Sequence, residues 1–377
     1  MSVSANALPR WVDIGLLPAI NLLAAFIVSG LVIALIGENP FTALAVMLKG
    51  ALVYPGSLGF TLYYATNFIF TGLAVSVAFH AMLFNIGGEG QAYIGGLGAG
   101  LVVLALDAVF PGLLLLPLAI AGAALFGAAW AFIPGYLQAY RGSHVVITTI
   151  MFNFIASGVM VALLGGALMR PGQSSPASRV FAESAQLPSM QEVLGLIGIE
   201  VARSPLNLSF ILALIACVGV WLLIWRTRFG FALRALGHSE PAAAYAGIKV
   251  PRIIVIAMAI SGGLAGLMAV NEIIGVQHKL ILNFTAGYGF TGIAVALMGR
   301  NHPVGIVLAS LLFGMIYQGG TELDFEFDSI NRQMVLLIQG LIILFSGALA
   351  YMFNPMMTRL FLRRAQVRGV RAGAAAE

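Results

Sequence analysis

Charged side chains are scarce in this chain. Lys, Arg, Asp and Glu make up 9% of its 377 residues, whereas hydrophobic residues make up 60%. A soluble globular domain carries about 25% charged residues, so the composition excludes that class and predicts an integral membrane protein. The sequence also has no run that interleaves basic and aromatic residues, a pattern that would suggest nucleic-acid binding. We therefore expect no nucleic-acid partner.

The residue types that carry enzyme chemistry are also few. Cys217 is the single cysteine, which excludes an intrachain disulfide. The five histidines are scattered without the spacing of metal ligands. No G-x-x-x-x-G-K-S/T phosphate loop occurs, so this chain should not hydrolyse ATP itself, and no paired nucleophile and base suggests an enzyme. We expect no catalytic residues, no metal site and no directly bound cofactor.

Long apolar runs dominate what is present. A span across about 30 Å of hydrocarbon needs roughly 20 residues. The sequence therefore predicts an all-α integral membrane protein, a bundle of about ten transmembrane helices in a single domain over 1–360, followed by a basic tail over 361–377. The eighth and ninth runs are short and could be thin spans or partly re-entrant. The predicted spans are about 13–37, 58–80, 86–109, 112–139, 144–168, 206–225, 253–275, 285–300, 303–320 and 332–353.

Clusters of Lys and Arg orient these spans, because short cytoplasmic loops carry an excess of both. Counting from an inside start places both termini and the basic loop over 226–252 in the cytoplasm, and the acidic stretch over 322–328 outside. The basic clusters also meet anionic lipid headgroups. The loop over 169–205 is the one sizeable region predicted outside the membrane, and 191–199 within it could form a short surface helix.

The loop over 226–252 holds five cations and a single carboxylate, Glu240. Ser239 is a suitable N-cap, Pro241 suits the first helical position, and the alanines that follow favour a helix. Gly247 then ends it. The pattern predicts a short helix at the cytoplasmic surface that offers small side chains and one tyrosine to a partner. The alternative is a connecting loop that happens to be helical.

The run over 236–248 resembles the coupling loop in permease subunits of bacterial ABC importers. The closest branch is that of the simple-sugar and nucleoside permeases, relatives of the ribose and branched-chain amino-acid permeases. That family has an Asn-Pro-Glu-like turn where this chain has Ser239, Glu240 and Pro241. The resemblance implies contact with a separate ATPase subunit through Gly237, Ser239, Glu240, Ala243, Ala244, Tyr245, Gly247 and Ile248.

A second stretch, 83–91, combines three glycines with Asn, Glu and Gln. A charged side chain near the centre of a lipid-facing helix costs about 2.5–3.5 kcal/mol, so this stretch must face protein, water or the interface. It either lines a constriction on a substrate path or forms a helix contact near the cytoplasmic surface. It is similar to the Asn-Ile-Gly-x-Glu-Gly-Gln run of the same permeases, and the resemblance continues over 145–153 and 297–314.

Polar groups inside the spans are candidates for the path of a solute. Amide and hydroxyl groups suit neutral, hydroxyl-rich ligands, and aromatic rings suit stacking. Each group could instead form an interhelical hydrogen bond. The candidates are Asn67, Phe68, Asn85, Glu89, Gln91, Thr148, Asn153 and Asn271.

The resemblance implies the translocation subunit of a bacterial ATP-driven ABC importer, a multi-pass protein of the cytoplasmic (inner) membrane that works by alternating access. It implies nucleosides first and simple sugars second as solutes. It also implies three partners: an ATPase subunit that holds the ATP, a second related permease in a heterodimer, and an extracytoplasmic substrate-binding protein. A self-contained ion-coupled secondary transporter is the alternative. It would use Glu89 and Glu272 as proton or sodium sites, but it does not explain the helical cytoplasmic loop.

Overall fold

The computed structural model describes residues 12, 16–170 and 172–345, most of which are helical. No β-sheet forms in that part of the chain, where the extended pairs are two isolated bridges. The described residues fall into two compact units: Val46–Glu322, and the residues before and after it. The helices are α1 (Leu17–Leu35), α2 (Pro40–Leu52), α3 (Ser57–Phe79), α4 (Gly88–Leu106), α5 (Gly112–Arg141), α6 (Val145–Leu164), α7 (Met190–Gly195), α8 (Ser209–Arg226), α9 (Arg228–His238), α10 (Glu240–Tyr245), α11 (Val250–Ala269, continued by the π-helix Val270–Gln277), α12 (Tyr288–Met298), α13 (Pro303–Glu326) and α14 (Arg332–Ile343).

Seven of the described helices are long and apolar enough to cross a membrane: α3, α4, α5, α6, α8, α13 and α11 with its π-helical extension. Counting the bent pair α1 and α2 as one span raises the number to eight, and α12 and Gln333–Ile342 are shorter apolar helices. The helical membrane bundle is therefore confirmed, whereas the predicted count of about ten spans is not. α12 has 11 residues, which extend about 16 Å at 1.5 Å per residue, roughly half of the hydrocarbon core.

Parts of the predicted topology lie outside the described residues. The start of the first predicted span, 13–37, and the end of the last, 332–353, are outside the described residues. Both termini and the tail over 361–377 are outside them as well. The orientation of the spans and the single domain over 1–360 therefore stay predictions. The run over 285–300, expected to be thin or re-entrant, corresponds to the short helix α12.

The unit Val46–Glu322 has three helices at its centre. α3 is 83% buried along its apolar window, and α4 and α11 are 67% buried, whereas α5, α6 and α8 reach 28%, 22% and 28%. Glycines let the central helices touch, because a Cβ added to Gly95 of α4 would lie 2.4 Å from the Gly266 Cα of α11. Helices in lipid commonly pack through such small residues.

The segment 169–205 is tied to the end of α4 by an ion pair. The Arg179 guanidinium donates to the two carboxylate oxygens of Asp107 over 2.7 and 2.8 Å. These hydrogen bonds hold the pKa of Asp107 below its usual range. An isolated bridge between Ala177 and Ile281 makes a second attachment. The segment is thus part of the folded unit.

α7 within that segment begins with a capping box. Ser189 Oγ accepts from the Glu192 N–H at 3.2 Å, and the Glu192 carboxylate accepts from the Ser189 N–H at 3.0 Å. The helix ends at Gly195, and Gly198 then adopts a left-handed φ of +79°. The surface helix predicted over 191–199 is therefore present but shorter, because the chain turns before the predicted end.

Candidate functional site

A buried carboxylate joins two of the central helices. Glu272, in the π-helical extension of α11, is 3% exposed. Its Oε1 accepts hydrogen bonds from the Tyr63 hydroxyl at 2.5 Å and from Asn67 Nδ2 at 2.6 Å, both on α3. The O–H···O distance is typical of a charge-assisted hydrogen bond. Because π-helical turns are frequent at functional sites, this junction is the first candidate for one.

Asn271, the preceding residue, has every hydrogen-bonding position filled. Its Oδ1 accepts from Asn207 Nδ2 at 2.9 Å and from Ser209 Oγ at 2.8 Å. Its Nδ2 donates to Asn67 Oδ1 at 2.8 Å and to the Tyr63 carbonyl oxygen at 3.2 Å. An asparagine amide has two donor hydrogens and two acceptor lone pairs, so contact with a solute would require one of these bonds to open.

Five aromatic side chains from α3, α12 and α13 pack together, and we call them the ring cluster: Tyr64, Phe68, Tyr288, Phe313 and Tyr317. Neighbouring ring centroids lie 4.9 to 6.3 Å apart in tilted or edge-on pairs, the geometry that aromatic pairs prefer. The Tyr63 ring, whose hydroxyl holds Glu272, lies 5.1 Å from the Tyr64 ring. The ring cluster and the Glu272 carboxylate are therefore neighbours.

The stretch 83–91 forms a turn that side-chain amides close. Asn85 Nδ2 donates to Gln91 Oε1 and to Ser261 Oγ of α11, both over 2.9 Å, and Gln91 Nε2 donates to Asn85 Oδ1 over 3.0 Å. The Gly87 N–H donates to the same Asn85 Oδ1 over 2.9 Å. These bonds satisfy polar groups that a broken helix inside a membrane would otherwise leave unpaired.

Glu89, in the first turn of α4, binds the N-terminus of α12. Its two carboxylate oxygens accept from the backbone N–H groups of Gly287 at 2.8 Å and Gly289 at 2.7 Å. A negative charge is favourable at the start of a helix. Tyr288 between these glycines packs on Phe68, near the middle of α3. α4 and α12 therefore both begin deep in the unit, as do the discontinuous helices of many transporters.

The other predicted path residues lie on α6. Asn153 accepts from the Gly90 N–H at 2.9 Å and donates to the Ile86 carbonyl oxygen at 3.0 Å. Thr148 donates within its own helix, to the His144 and Val145 carbonyl oxygens. The structure thus brings Asn67, Phe68 and Asn271 together near Glu272, groups Asn85, Glu89, Gln91 and Asn153 around the turn over 83–91, and places Thr148 in neither set.

An open cavity of about 1140 Å³ lies where the segment 169–205 meets the start of α3 and the end of the π-helix. Phe60, Gly275 and Val276 are among its lining residues. Phe60 precedes Tyr63 by three positions on α3 and so lies on the same helix face. Val276 follows Glu272 by about one π-helical turn. The cavity therefore lies about one helical turn from the Glu272 junction.

The basic loop contains α9 and α10, and α10 begins as the sequence predicts. Ser239 Oγ accepts from the Ala242 N–H at 3.4 Å, the hydrogen bond of an N-cap. The helix starts at Glu240, so Pro241 occupies the second helical position rather than the predicted first. Proline is still tolerated there, because the N–H groups of the first turn have no partner within the helix.

α10 ends in a Schellman motif, which satisfies its last carbonyl groups. The Ile248 N–H donates to the Ala243 carbonyl oxygen and the Gly247 N–H to the Ala244 carbonyl oxygen, each over 3.0 Å. Gly247 adopts a left-handed φ of +81°, which glycine allows without strain. The helix is thus capped at both ends by its own residues.

α10 presents one large side chain to its surroundings. Tyr245 is 97% exposed, whereas Ala243 is 2% exposed and rests on the unit. Gly237, at the end of α9, touches the chain just after α3, because a Cβ added there would lie 2.1 Å from the His80 carbonyl oxygen. A displacement of α9 and α10 would therefore press on α3, which carries the two side chains that hold Glu272.

Comparison with known proteins identifies the family of this chain. A family model described as "Branched-chain amino acid transport system / permease component" matches residues 57–347. This chain belongs to that family. Among its relatives is the guanosine ABC transporter permease NupP of Bacillus subtilis, 34% identical over 348 residues that cover 92% of this chain and 96% of the relative.

Two further relatives are ABC transporter permeases named for a sugar and for a nucleoside. The glucose ABC transporter permease TsgB13 of Haloferax volcanii is 33% identical over 343 residues, 90% of this chain and 88% of the relative. The guanosine ABC transporter permease NupQ of Bacillus subtilis is 30% identical over 268 residues, 67% of this chain and 78% of the relative. The resemblance to sugar and nucleoside ABC permeases is confirmed. The chain is a multi-pass membrane permease of a family whose members transport solutes.

Sequence reasoning did not select Tyr63, Tyr288 or Tyr317, and it named Glu272 as an ion site of the alternative transporter. The sequence offers a partial signal for Tyr63. Tyr63 and Tyr64 are adjacent inside an apolar run, where a phenol needs a hydrogen-bond partner. That partner lies 209 positions away, so the pattern alone could not name it.

Proposed function

We propose that this permease is the translocation subunit of an ATP-driven importer and that a separate ATPase subunit drives it through α10. The observation that carries the proposal is the capped helix α10, with Tyr245 exposed and with Gly237 in contact with the end of α3. A partner that closes on α10 would move α9 and α3 as one rigid body. The proposed contacts are Gly237, Ser239, Glu240, Ala244, Tyr245, Gly247 and Ile248. Ala243, which the sequence also suggested, is 2% exposed and supports α10 from within the permease instead.

The proposed solutes are nucleosides or simple sugars, which fits a path that offers amides, hydroxyls, rings and the two carboxylates Glu89 and Glu272. A solute would enter from the cavity beside the segment 169–205 and pass the Glu272 junction and the ring cluster. In the alternate state it would leave past the turn over 83–91. The proposed path residues are Asn67, Phe68, Asn85, Glu89, Gln91, Thr148, Asn153 and Asn271.

The proposed assembly contains a second, related permease in a heterodimer and an extracytoplasmic substrate-binding protein that docks near the segment 169–205. Two guanosine permeases of one organism are both similar to this chain, which supports a paired arrangement. ATP would bind on the ATPase subunit. We further propose about ten passes through a bacterial inner membrane, both termini in the cytoplasm, and basic clusters against lipid headgroups.

Glu272 favours one alternative, a self-contained secondary transporter coupled to an ion gradient. Within the described residues this buried carboxylate has no Lys or Arg at ion-pair distance, and intramembrane carboxylates often carry protons or ions in transporters. Such a transporter would work alone and without ATP. The exposed, capped helix α10 has no role in it, so the importer is the better account.

Copurification distinguishes the two functions. The chain is tagged at its C-terminus, extracted from native membranes in mild detergent, and its companions are identified. Recovery of an ATPase together with a second permease supports the importer. Recovery of this chain alone, still transporting after reconstitution without ATP, refutes it in favour of the secondary transporter.

A further inference from the structure

An apolar groove of about 270 Å³ lies between α8 and α13. Val218 and Val304, which line it, are 59% and 63% exposed, so the groove is open at the surface of the unit Val46–Glu322. Both helices are long and apolar enough to cross a membrane, and their exposed apolar side chains therefore meet the hydrocarbon of the bilayer. The lining residues are Cys217, Val218 and Trp221 of α8 and Pro303, Val304 and Val307 of α13.

Packed rings close the groove toward the end of α8. The Trp225 ring lies 5.0 Å from the ring of His302, just before α13, and 5.3 Å from the ring of His80, just after α3. Trp225 follows Trp221 by four positions, so it lies one turn nearer the end of α8 on the same face. The groove thus has a fixed end at the level where both helices leave the membrane.

A cation lies at this end of the groove. The Arg226 Cζ is 5.1 Å from the centroid of the Trp221 ring, which is a cation–π distance. Arg226 is exposed, as is Arg228 two positions further on. Within the described residues, the ion pair is that of Arg179 with Asp107, so no carboxylate there neutralises Arg226. The mouth of the groove is therefore positively charged.

Apolar shape and positive charge together indicate a phospholipid as the occupant. Lipid tails are as apolar as the groove, so the groove accepts an acyl chain without selecting one. Selection then depends on the headgroup, and an arginine guanidinium can donate two hydrogen bonds to a phosphate. Tryptophan is also typical of the level at which headgroups lie.

A second copy of this chain is a poorer fit to the groove. The loop over 226–252, which begins at Arg226, has five cations and a single carboxylate. Two copies in the same orientation would bring these like charges together. An anionic headgroup brings the opposite charge instead, so charge complementarity favours the lipid.

We propose that this groove binds an anionic phospholipid, with the upper part of an acyl chain between α8 and α13 and the headgroup phosphate on Arg226. The site lies at the corner between α8 and α9, where Thr227 Oγ1 accepts from the Gly230 N–H at 3.0 Å and caps α9. A lipid bound there fastens the start of α9, which leads to α10. The site goes beyond the proposed function, because it is the same in an importer and in a secondary transporter.

The test measures lipid binding to the full chain, purified in mild detergent and stripped of lipid. Phosphatidylglycerol, which is anionic, and phosphatidylcholine with identical acyl chains are titrated separately, and native mass spectrometry counts the bound lipids. The wild type should bind phosphatidylglycerol about fivefold more tightly, the factor that about 1 kcal/mol per cation near the membrane surface gives. Differences between variants report the groove, since lipids at other basic sites bind to all variants alike.

Arg226→Gln should weaken the binding of phosphatidylglycerol about fivefold and leave phosphatidylcholine unchanged, because the amide keeps no charge. Arg252→Gln is the matched control. It removes another exposed cation of the same loop, at the start of α11, and should bind both lipids as the wild type does.

Val218→Trp tests the groove itself, and it serves also if Arg226→Gln does not accumulate. The larger side chain fills the groove and should weaken the binding of phosphatidylglycerol. Val218 is exposed, so the change leaves the core of the unit intact. Val161→Trp is the control, since Val161 is a 52% exposed valine of α6 that does not line the groove.

Several outcomes overturn the proposal. One is equal binding of the two lipids by the wild type, and another is unchanged binding of phosphatidylglycerol in Arg226→Gln or Val218→Trp. An equal loss in Arg252→Gln would mean that the loop attracts lipid by its total charge. Displacement of the lipid by inorganic phosphate at constant ionic strength would make Arg226 a site for free anions. Binding by the chain alone that disappears when a second permease copurifies would make the groove an interface between permeases.

Discussion

Replacement of Tyr245 by aspartate tests whether α10 docks on the proposed ATPase subunit. The side chain is 97% exposed in this chain, so the change should alter the stability of the permease by less than about 0.5 kcal/mol, as for other surface substitutions. Buried against a partner, a tyrosine contributes about 2 kcal/mol or more when it is an anchor of the interface. A loss of 2 kcal/mol weakens docking about 30-fold.

The assay is solute uptake at equal membrane abundance, together with the amount of ATPase that copurifies. Tyr245→Asp should lower both, while insertion and the elution profile in detergent stay normal. Tyr140→Asp is the control, because Tyr140 is 54% exposed in the last turn of α5. It lies between the fourth and fifth predicted spans, 112–139 and 144–168, which places it on the cytoplasmic side when the spans are counted from an inside start. Normal uptake by Tyr245→Asp would refute the docking role of α10.

Three further substitutions test other contacts. Gly247→Val should reduce uptake, because a branched side chain at φ +81° costs about 1–2 kcal/mol and disturbs the end of α10. Gly247→Asn should retain more uptake, because asparagine tolerates that φ better. Equal uptake by the two variants would contradict this reasoning. Gly237→Ala should lower uptake at normal abundance, since its Cβ would lie 2.1 Å from the His80 carbonyl oxygen; Gly219→Ala, with no atom within 4 Å of its Cβ, is the control, and equal uptake by both would deny the contact a role. Asp107→Asn should lower the melting temperature in detergent at pH 7, by an amount that corresponds to about 1 kcal/mol or less because Arg179 is 45% exposed. The pKa of Asp107 is lowered in the folded chain. The ion pair therefore stabilises the fold at neutral pH, and this stabilisation is lost as the pH falls through the folded pKa. A difference in melting temperature between the wild type and Asp107→Asn that grows on acidification would refute the assignment.

The short helix α10 could be predicted from sequence because its signals are local. Ser239 and Gly247 are both within a few residues of the helix they cap, and each acts through its own geometry. The predicted position of Pro241 within α10 was wrong by one residue. Helix ends commonly vary by this amount, and both positions leave the missing N–H without cost.

The candidate site could be predicted only in part, because its contacts join distant segments. Asn67 and Asn271 were selected as polar residues in apolar runs, but their hydrogen bond spans 204 positions. The ring cluster combines α3, α12 and α13, and no periodicity within one helix indicates which rings meet. Among the described residues, seven helices, or eight with the bent pair, are long and apolar enough to span a membrane. The sequence showed that the run over 285–300 was short, but it left open whether this run crosses the membrane, and α12 has only 11 residues.

The most direct test of the importer is uptake into vesicles that contain this permease with its copurified partners and that are supplied with the extracytoplasmic binding protein. Uptake is compared with ATP and no ion gradient, and with a proton or sodium gradient and no ATP. The importer predicts uptake in the first condition alone, and loss of that uptake in Tyr245→Asp. Uptake driven by an ion gradient without ATP, unaffected by Tyr245→Asp, would contradict it.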